Sequence, residues 1–520
     1  MYFRNFFKNF IIKKIYKGYK IFKKEKLLNS YYQLELDIEE YTNNLDKKDI
    51  IYNQFLIRLL LSNRMKFYYL FFLGMNFNLI FPIPFQWFHL FNKNKIKINY
   101  FFSSIFFLLM VFMFIVKSFL SIKKIAFIKN YNLQFVDKYD VIVNLNNNTF
   151  FANNYLPNNG NHNYNLIDYL IKEFNVSFNI YHQLNVKNIE KGQYKITYLN
   201  NFFPLKFTQK IFLLFYSFYQ IVVSILKIFI LNFNNIFLFN EIILSKQVEL
   251  FNANNNLATR YFFIFPFTAF RPIWTYYAEK NGSNIFFINY ASGFYGFKNI
   301  ITNEYPIQMT LGLKCMTWGN YVVDKKLYFD FLLSSYPNKS FYLSKNPINI
   351  SDSGIKLPYI NNKKFIIGLF DITPIRKFLR MTHLPQDTFR ETDLCIQFLK
   401  DIHELKVKLN LVILFKQKRK QIDINCKRYF NYAKYLTFEY VDPSVSSARV
   451  SNACDLLIST PFTTAAMNTN KYNKINSIFY SPLNLISDMD RASQNLPIII
   501  GKNNLEYFIA KQIEAKFNAK

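Results

Sequence analysis

The residues best suited to chemistry follow a short apolar run near the C-terminus, Leu456–Ser459, which predicts a buried strand. Pro461 predicts a turn after this strand, and Thr463 and Thr464 then supply hydroxyls at the N-cap and first turn of a predicted helix. A helix N-terminus combines unpaired backbone N–H groups with the positive end of the helix dipole, so α/β proteins often bind phosphate there. The turn predicts a phosphate site, and an ordinary capped helix is the alternative reading.

A basic segment follows another predicted strand, Leu409–Phe415. Ligands of open α/β sheets bind at the carboxyl ends of the strands, where Lys416 and Arg419 are expected. Cations at this edge could neutralise the phosphates of a departing nucleotide without a metal ion. The alternative is a solvated basic loop on a protein that is basic throughout.

A second set of candidates lies in the middle of the chain. Arg271 and Trp274 open a helical stretch after an apolar run, where the arginine could face an acidic acceptor or the phosphates. A structural ion pair of Arg271 with Glu279 is the alternative. Ser292 and Gly293 follow another predicted strand, and a glycine there permits close approach of a ligand to the backbone or simply makes a tight turn.

If the chain transfers a group to the hydroxyl of an acceptor with inversion of configuration, a general base must lie near that hydroxyl. The candidates are Glu279, Glu304 and Asp371, and the sequence does not choose between them. A retaining mechanism is equally open.

Metal ligands are sparse in this sequence. Asp488 and Asp490 have a D-x-D spacing, but they follow the last strongly predicted strand and such a tripeptide arises easily by chance. The histidines show no paired-ligand spacing, and the 4 cysteines are scattered without a CxxC pair. We therefore expect no metal and no cofactor.

Charge and composition restrict the partners. Lys and Arg number 64 against 33 Asp and Glu, and the net charge of +31 favours polyanions such as nucleotide phosphates or an anionic membrane surface. The basic residues are spread along the chain and uncharged runs interrupt them, which favours lipid over nucleic acid. We expect no nucleic acid partner.

The N-terminal region predicts membrane association. Residues 11–24 form a basic amphipathic helix, which fits either a membrane surface or the protein's own core. The runs 98–122 and 211–239 are long and apolar enough to be candidate membrane spans. We prefer in-plane, monotopic association, because crossing by both runs would separate predicted strands of one domain. A true span at 98–122 and fully buried core helices are the alternatives.

Strands and helices alternate from residue 123 onward, which predicts α/β domains with parallel sheets. The predicted organisation is a helical, membrane-associating region at 1–122, a Rossmann-like domain at 123–345 with an apolar insertion at 207–240, a linker at 346–362, and a second Rossmann-like domain at 363–520.

The segment SSARVSNACDLLISTPFTTAAM at 446–467, followed by NSIFYSP, resembles the bacterial polysaccharide biosynthesis PFTS-motif family. Weaker similarity extends to Arg271-Pro-Ile-Trp274 and to Lys416-Gln-Lys-Arg419. The resemblance implies a GT-B-like glycosyltransferase with two Rossmann-like domains facing a cleft, in which the domain at 123–345 would bind the acceptor and the domain at 363–520 the nucleotide sugar. It departs at Thr464, where the family has Ser, and at Ser481, where the family usually has Asp.

The resemblance and the residues together predict a glycosyltransferase that moves a sugar from a nucleotide sugar to a lipid-linked or oligosaccharide acceptor at the cytoplasmic face of the bacterial inner membrane. Its product would belong to capsule or lipopolysaccharide. Ser459 and Tyr480 complete the predicted nucleotide-sugar set. The alternatives are a polyol-phosphate transferase of cell-wall polymer assembly, which should need a histidine such as His383 or His403, and a non-catalytic polyanion-binding membrane protein.

Overall fold

A computed structural model gives the architecture of most of the chain. It describes, with short interruptions, residues 30–126, 138–143, 169–198, 203–264, 271–288, 318–323, 340–345, 364–371, 392–417, 427–442, 447–461, 476–484 and 496–518, parts of 10–21, and isolated residues that include Thr463.

The N-terminal region is helical and has a hydrophobic core of its own. Its helices are α1 (Lys47–Leu60), α2 (Asn63–Gly74), α3 (Phe88–Lys93) and the long α4 (Tyr100–Ala126). The helical residues 13–18 pack on α2, and Ile15 is buried in the same core. In the described part of the basic amphipathic helix, Ile15 and the partly buried Ile11 therefore pack on the protein's own core.

The first sheet has eight strands in the order β3-β4-β2-β1-β5-β6-β7-β8. They are β1 (Asp140–Val143), β2 (Asn179–His182), β3 (Ile189–Lys191), β4 (Tyr194–Tyr198), β5 (Arg260–Ile264), β6 (Asn284–Ile288), β7 (Asn320–Val323) and β8 (Phe341–Leu343). All neighbours pair in parallel except β3 and β4. Apolar side chains fill both faces of β1 and β5, as expected of central parallel strands.

Among the described residues, three α-helices lie between β4 and β5, and a fourth lies between β5 and β6. They are α5 (Phe207–Phe229), α6 (Asn234–Phe237), α7 (Phe239–Phe251) and α8 (Trp274–Lys280). α5 packs against α4, α6 and α7, and α7 packs against α8. The predicted apolar insertion is therefore helical, and it joins the N-terminal helices to the first sheet.

The second sheet has six parallel strands in the order β11-β10-β9-β12-β13-β14. Its elements are β9 (Ile366–Phe370), α9 (Thr392–Leu409), β10 (Val412–Lys416), α10 (Lys427–Lys434), β11 (Glu439–Val441), α11 (Ser447–Asn452), β12 (Leu456–Ser459), β13 (Asn476–Ser481), β14 (Ile498–Ile500) and α12 (Lys502–Asn518). A Cβ at Gly368 would lie 2.5 Å from Leu457 Cδ2 and 2.9 Å from Cys454 Sγ. The glycine thus lets β12 and the turn before it close over the centre of β9.

The predicted α/β fold class with two Rossmann-like sheets is confirmed. Before β7, which begins at Asn320, Trp318 packs its ring beside Phe263 and Phe287. Three short strands, β3, β4 and β14, were not predicted. The membrane association of the N-terminal region remains a prediction.

Candidate functional site

The strand order of the second sheet defines where a ligand would bind. Numbered along the chain within this sheet, the strands lie in the order 3-2-1-4-5-6. The chain therefore runs outward from β9 through β10 and β11, and then returns to β12 on the other side of β9. The carboxyl ends of two such neighbouring strands form a crevice, because the connections that leave them run in opposite directions. Asp371 follows β9 and Thr460 follows β12 at this crevice.

Three hydroxyl oxygens lie buried at the end of β12 without a hydrogen-bond partner. Within the described part of the chain, they are Ser459 Oγ, Thr460 Oγ1 and Thr463 Oγ1. Ser459 is fully buried and Thr460 is 4% exposed, so neither residue is reached by bulk water. An unpaired buried hydroxyl costs about 1–3 kcal/mol, and three of them within one short stretch of the chain favour a ligand that would accept their hydrogen bonds. Ser459 and Thr463 were predicted site residues, whereas Thr460 was missed although it stands between them.

A buried charged group adjoins these hydroxyls. Asp371 is 7% exposed, and the Tyr429 hydroxyl of α10 donates a 2.8 Å hydrogen bond to Asp371 Oδ2. Lys416 ends β10, the strand on the other side of β9. Burial lowers the pKa of Lys416 from its ordinary value, while the Asp371 and Asp442 carboxylates act in the opposite direction. The sheet thus brings together the predicted residues Asp371 and Lys416.

Tyr429 is a site residue that the sequence did not reveal. Its side chain is fully buried, and burial together with the neighbouring Asp371 carboxylate raises its pKa well above the ordinary value. The phenol therefore keeps its proton and remains a hydrogen-bond donor to Asp371. Tyr429 lies on the short helix α10, and no local sequence pattern predicts where that helix packs on the sheet.

Tyr480 does not face the crevice. It is fully buried, and its hydroxyl donates a 2.6 Å hydrogen bond to Asp401 Oδ2 of α9. We correct its predicted nucleotide contact to a core role, because strand residues alternate between faces and this one points towards a helix. The next residue, Ser481, donates a hydrogen bond to the Leu483 carbonyl at 2.6 Å and so fixes the turn after β13.

The candidates of the first sheet are engaged in packing. Arg271 is 3% exposed and donates hydrogen bonds to Glu279 Oε2 at 2.6 Å and Thr275 Oγ1 at 2.9 Å. Its guanidinium also lies 4.0 Å from the centre of the Tyr276 ring. Trp274 is buried against aromatic rings. The structural ion pair considered as the alternative for Arg271 is thus present, and Glu279 is the partner in it.

The remaining candidates lie outside the described residues. They are Glu304, Ser292, Gly293, Arg419 and Thr464, together with Asp488 and Asp490. Among the residues that are described, no group of three or more His, Cys, Asp or Glu could hold a metal ion. Independence of metal and cofactor remains a prediction.

His403 is remote from the crevice. Its ring lies 3.5 Å from the Thr437 hydroxyl, and Thr437 precedes β11. The histidine therefore lies at the amino ends of the strands, the edge opposite Asp371 and Thr460.

The fold and the crevice define an α/β protein with two sheets, in each of which the strand order reverses as in nucleotide-binding proteins. A family model matches residues 223–509, and the chain belongs to the family of polysaccharide biosynthesis PFTS motif proteins. No curated protein matches the chain.

Solved structures resemble the chain at low identity. The UDP-GlcNAc 2-epimerase of Methanocaldococcus jannaschii matches with 11% identity and a TM-score of 0.38, over 72% of this chain and 92% of that chain. A variant of the wall teichoic acid polymerase TagF matches with 9% identity and a TM-score of 0.38, over 79% and 90%. The spinosyn forosaminyltransferase SpnP matches with 10% identity and a TM-score of 0.31, over 73% and 91%. Such values carry no functional argument.

Proposed function

We propose that this protein is a glycosyltransferase of bacterial surface polysaccharide biosynthesis, of capsule or lipopolysaccharide. It would transfer a sugar from a nucleotide sugar to a lipid-linked or oligosaccharide acceptor at the cytoplasmic face of the inner membrane. The observation that carries the proposal is the presence of three buried, unpaired hydroxyls between residues 459 and 463, where the strand order of the second sheet reverses. Membership of a polysaccharide biosynthesis family supports the same class of reaction.

The hydroxyls of Ser459, Thr460 and Thr463 suit the phosphates of a nucleotide sugar. Phosphate oxygens accept hydrogen bonds, and donors buried away from water bind them more strongly than donors in solvent. Lys416 at the neighbouring strand end would supply positive charge as the sugar–phosphate bond breaks and charge develops on the leaving nucleotide. No step of this proposal requires a metal ion.

The transfer needs an acceptor for one proton. The acceptor hydroxyl forms a bond to the anomeric carbon, the bond from that carbon to the phosphate oxygen breaks, and the hydroxyl proton passes to a base. Of the candidate carboxylates, Glu279 is ion-paired with Arg271, whereas Asp371 lies at the crevice. We therefore favour Asp371 as the carboxylate that acts near the donor, with Tyr429 orienting it.

Nucleotide binding tests the proposal directly. Purified protein is heated with UDP, GDP or CMP, and binding raises the melting temperature. We expect at least one nucleotide to stabilise the native chain and Thr463→Ala to lose most of that shift. Thr259→Val is the matched control, because Thr259 is exposed just before β5. Absence of any nucleotide response, or an equal loss in the control, would contradict the donor site.

A further inference from the structure

Two adjacent helices present an apolar surface to the solvent. α4 and α5 pack on each other, and each contains a 23-residue segment that is long and apolar enough to cross a membrane. Only 33% of the most apolar stretch of α4 and 22% of that of α5 is buried, so these are not core helices. The exposed apolar side chains along them include Phe101, Leu109, Phe112 and Leu120 of α4, and Phe212, Phe215, Tyr219 and Leu226 of α5. We call this surface the α4–α5 face.

Three serines of these helices are hydrogen-bonded within the protein. Ser118, Ser217 and Ser224 lie on the buried stripes, and each donates a hydrogen bond to the carbonyl four residues earlier, at 2.8, 2.7 and 2.6 Å. A helix placed in hydrocarbon must satisfy its polar groups within the protein. These three serines therefore meet this requirement within the protein.

The connections of α5 prevent it from crossing a bilayer. β1 precedes α5 and β5 follows it, yet the two strands pair directly, with Asp140 opposite Arg260 and Val143 opposite Phe263. The Arg260 guanidinium also donates hydrogen bonds to both Asp140 carboxylate oxygens, at 2.9 and 2.8 Å. Strands of one sheet lie on one side of a membrane, so both ends of α5 lie on that side.

The same reasoning applies to α4. Asp49 of α1 precedes α4, and its carboxylate accepts a 2.6 Å hydrogen bond from Asn234, which follows α5. The chain after α4 enters β1 of the first sheet. The ring centres of Phe107 and Phe114 of α4 lie 5.8 and 4.7 Å from that of Phe237, so this part of α4 packs against α6 of the folded protein. Both ends of α4 therefore belong to the same body as well.

The charge around the α4–α5 face suits an anionic lipid surface. No Asp or Glu occurs between Asp49 and Asp137, or between Glu190 and Glu241, and these two stretches contain α4 and α5. The exposed Lys95 and Lys97 immediately precede α4, and the exposed Lys206 precedes α5. Basic residues near a bilayer surface are attracted to anionic headgroups.

We infer that α4 and α5 insert side-on into one leaflet of an anionic bilayer, as a monotopic attachment surface with no membrane-spanning segment. Acyl chains then cover the α4–α5 face, and the lysines before each helix contact the headgroups. Both helices are long enough to span a bilayer, but they lie in the plane of the membrane. The pairing of β1 with β5 and the hydrogen bond between Asp49 and Asn234 hold both ends of each helix on the same side. This attachment holds whatever reaction the second sheet carries out.

Vesicle flotation tests the surface. The full chain is mixed with phosphatidylcholine vesicles, with or without phosphatidylglycerol, and we expect it to float mainly with the anionic vesicles. The double variant Phe112→Glu/Phe215→Glu should bind at least about tenfold more weakly, because carboxylates resist insertion into hydrocarbon. Val407→Glu/Tyr435→Glu is the matched control, since both side chains are exposed and apolar but lie beside the second sheet.

Three outcomes would overturn the inference. One is failure of the native chain to bind vesicles, for example because a stable dimer covers the face, which sedimentation would detect. Another is an equal loss of binding in the control, provided that both double variants melt like the native chain. The third concerns orientation: Lys97→Cys and Lys138→Cys flank α4, and both should react with an impermeant maleimide on vesicle-bound protein above the native background. Protection of one of the two by the bilayer would establish a span instead.

Discussion

At the scale of single residues, removal of the unpaired Thr460 hydroxyl should stabilise the unliganded protein and weaken nucleotide binding. Thr460→Val keeps the shape of the side chain and removes a buried hydroxyl without a partner, so it should raise the free energy of unfolding of the unliganded protein by about 1 kcal/mol. The same substitution should abolish part of the nucleotide shift. Melting curves with and without nucleotide measure both effects.

Opposite signs for stability and binding would separate a ligand site from an ordinary core position. Thr259→Val, on an exposed threonine, should change neither the free energy of unfolding nor that of nucleotide binding by more than about 0.5 kcal/mol. Destabilisation by Thr460→Val would mean that the hydroxyl has a partner within the folded protein, and would count against the site.

Arg271 allows the two readings of its role to be separated by experiment. Its side chain is buried and bonded to Glu279 and Thr275, so Arg271→Met should destabilise the protein by about 2 kcal/mol. Nucleotide affinity should remain unchanged because the contacts lie within one helical turn of α8. Arg428→Met is the control, since the Arg428–Asp393 pair is exposed and contributes little. A large loss of nucleotide affinity in Arg271→Met would instead favour a direct ligand contact.

At the scale of elements, two helices of the N-terminal region pack so closely that each needs a glycine at the contact. A Cβ at Gly18 would overlap the Leu70 carbonyl, and one at Gly74 would overlap the Lys14 carbonyl. Gly18→Ala should therefore destabilise the N-terminal region by more than about 2 kcal/mol, although alanine favours helix. Limited proteolysis should show early release of the first residues. Lys17→Ala, at the exposed neighbouring position, should resist proteolysis like the native chain.

The sequence predicted elements better than it predicted their arrangement. Buried strands of four or five residues such as β9 and β12 were recognisable because nearly every residue is apolar, whereas β3 and β4 carry charges among their apolar residues. The order of strands depends on pairing between distant segments, and so the crevice between β9 and β12 could be expected only by analogy. Tyr480 was assigned wrongly because a strand motif does not state which face each side chain takes.

At the scale of the whole molecule, the α4–α5 face and the crevice of the second sheet are distinct surfaces that the proposed reaction uses together. A lipid-linked acceptor lies in the membrane, whereas a nucleotide sugar is soluble. Side-on attachment would confine the enzyme to the surface that holds the acceptor, and would thereby raise the local acceptor concentration without changing the donor site.

This division predicts a selective loss of activity. Phe112→Glu/Phe215→Glu should keep the native nucleotide-induced shift in melting temperature, because both positions are exposed and belong to helices outside the second sheet. It should lose most transfer to an acceptor embedded in anionic vesicles, by about tenfold or more, yet transfer normally to a soluble oligosaccharide acceptor. Val407→Glu/Tyr435→Glu should behave like the native chain in all three assays. Equal loss of transfer to the soluble acceptor would mean that the α4–α5 face supports the active conformation itself, because membrane attachment cannot affect a reaction between two soluble substrates.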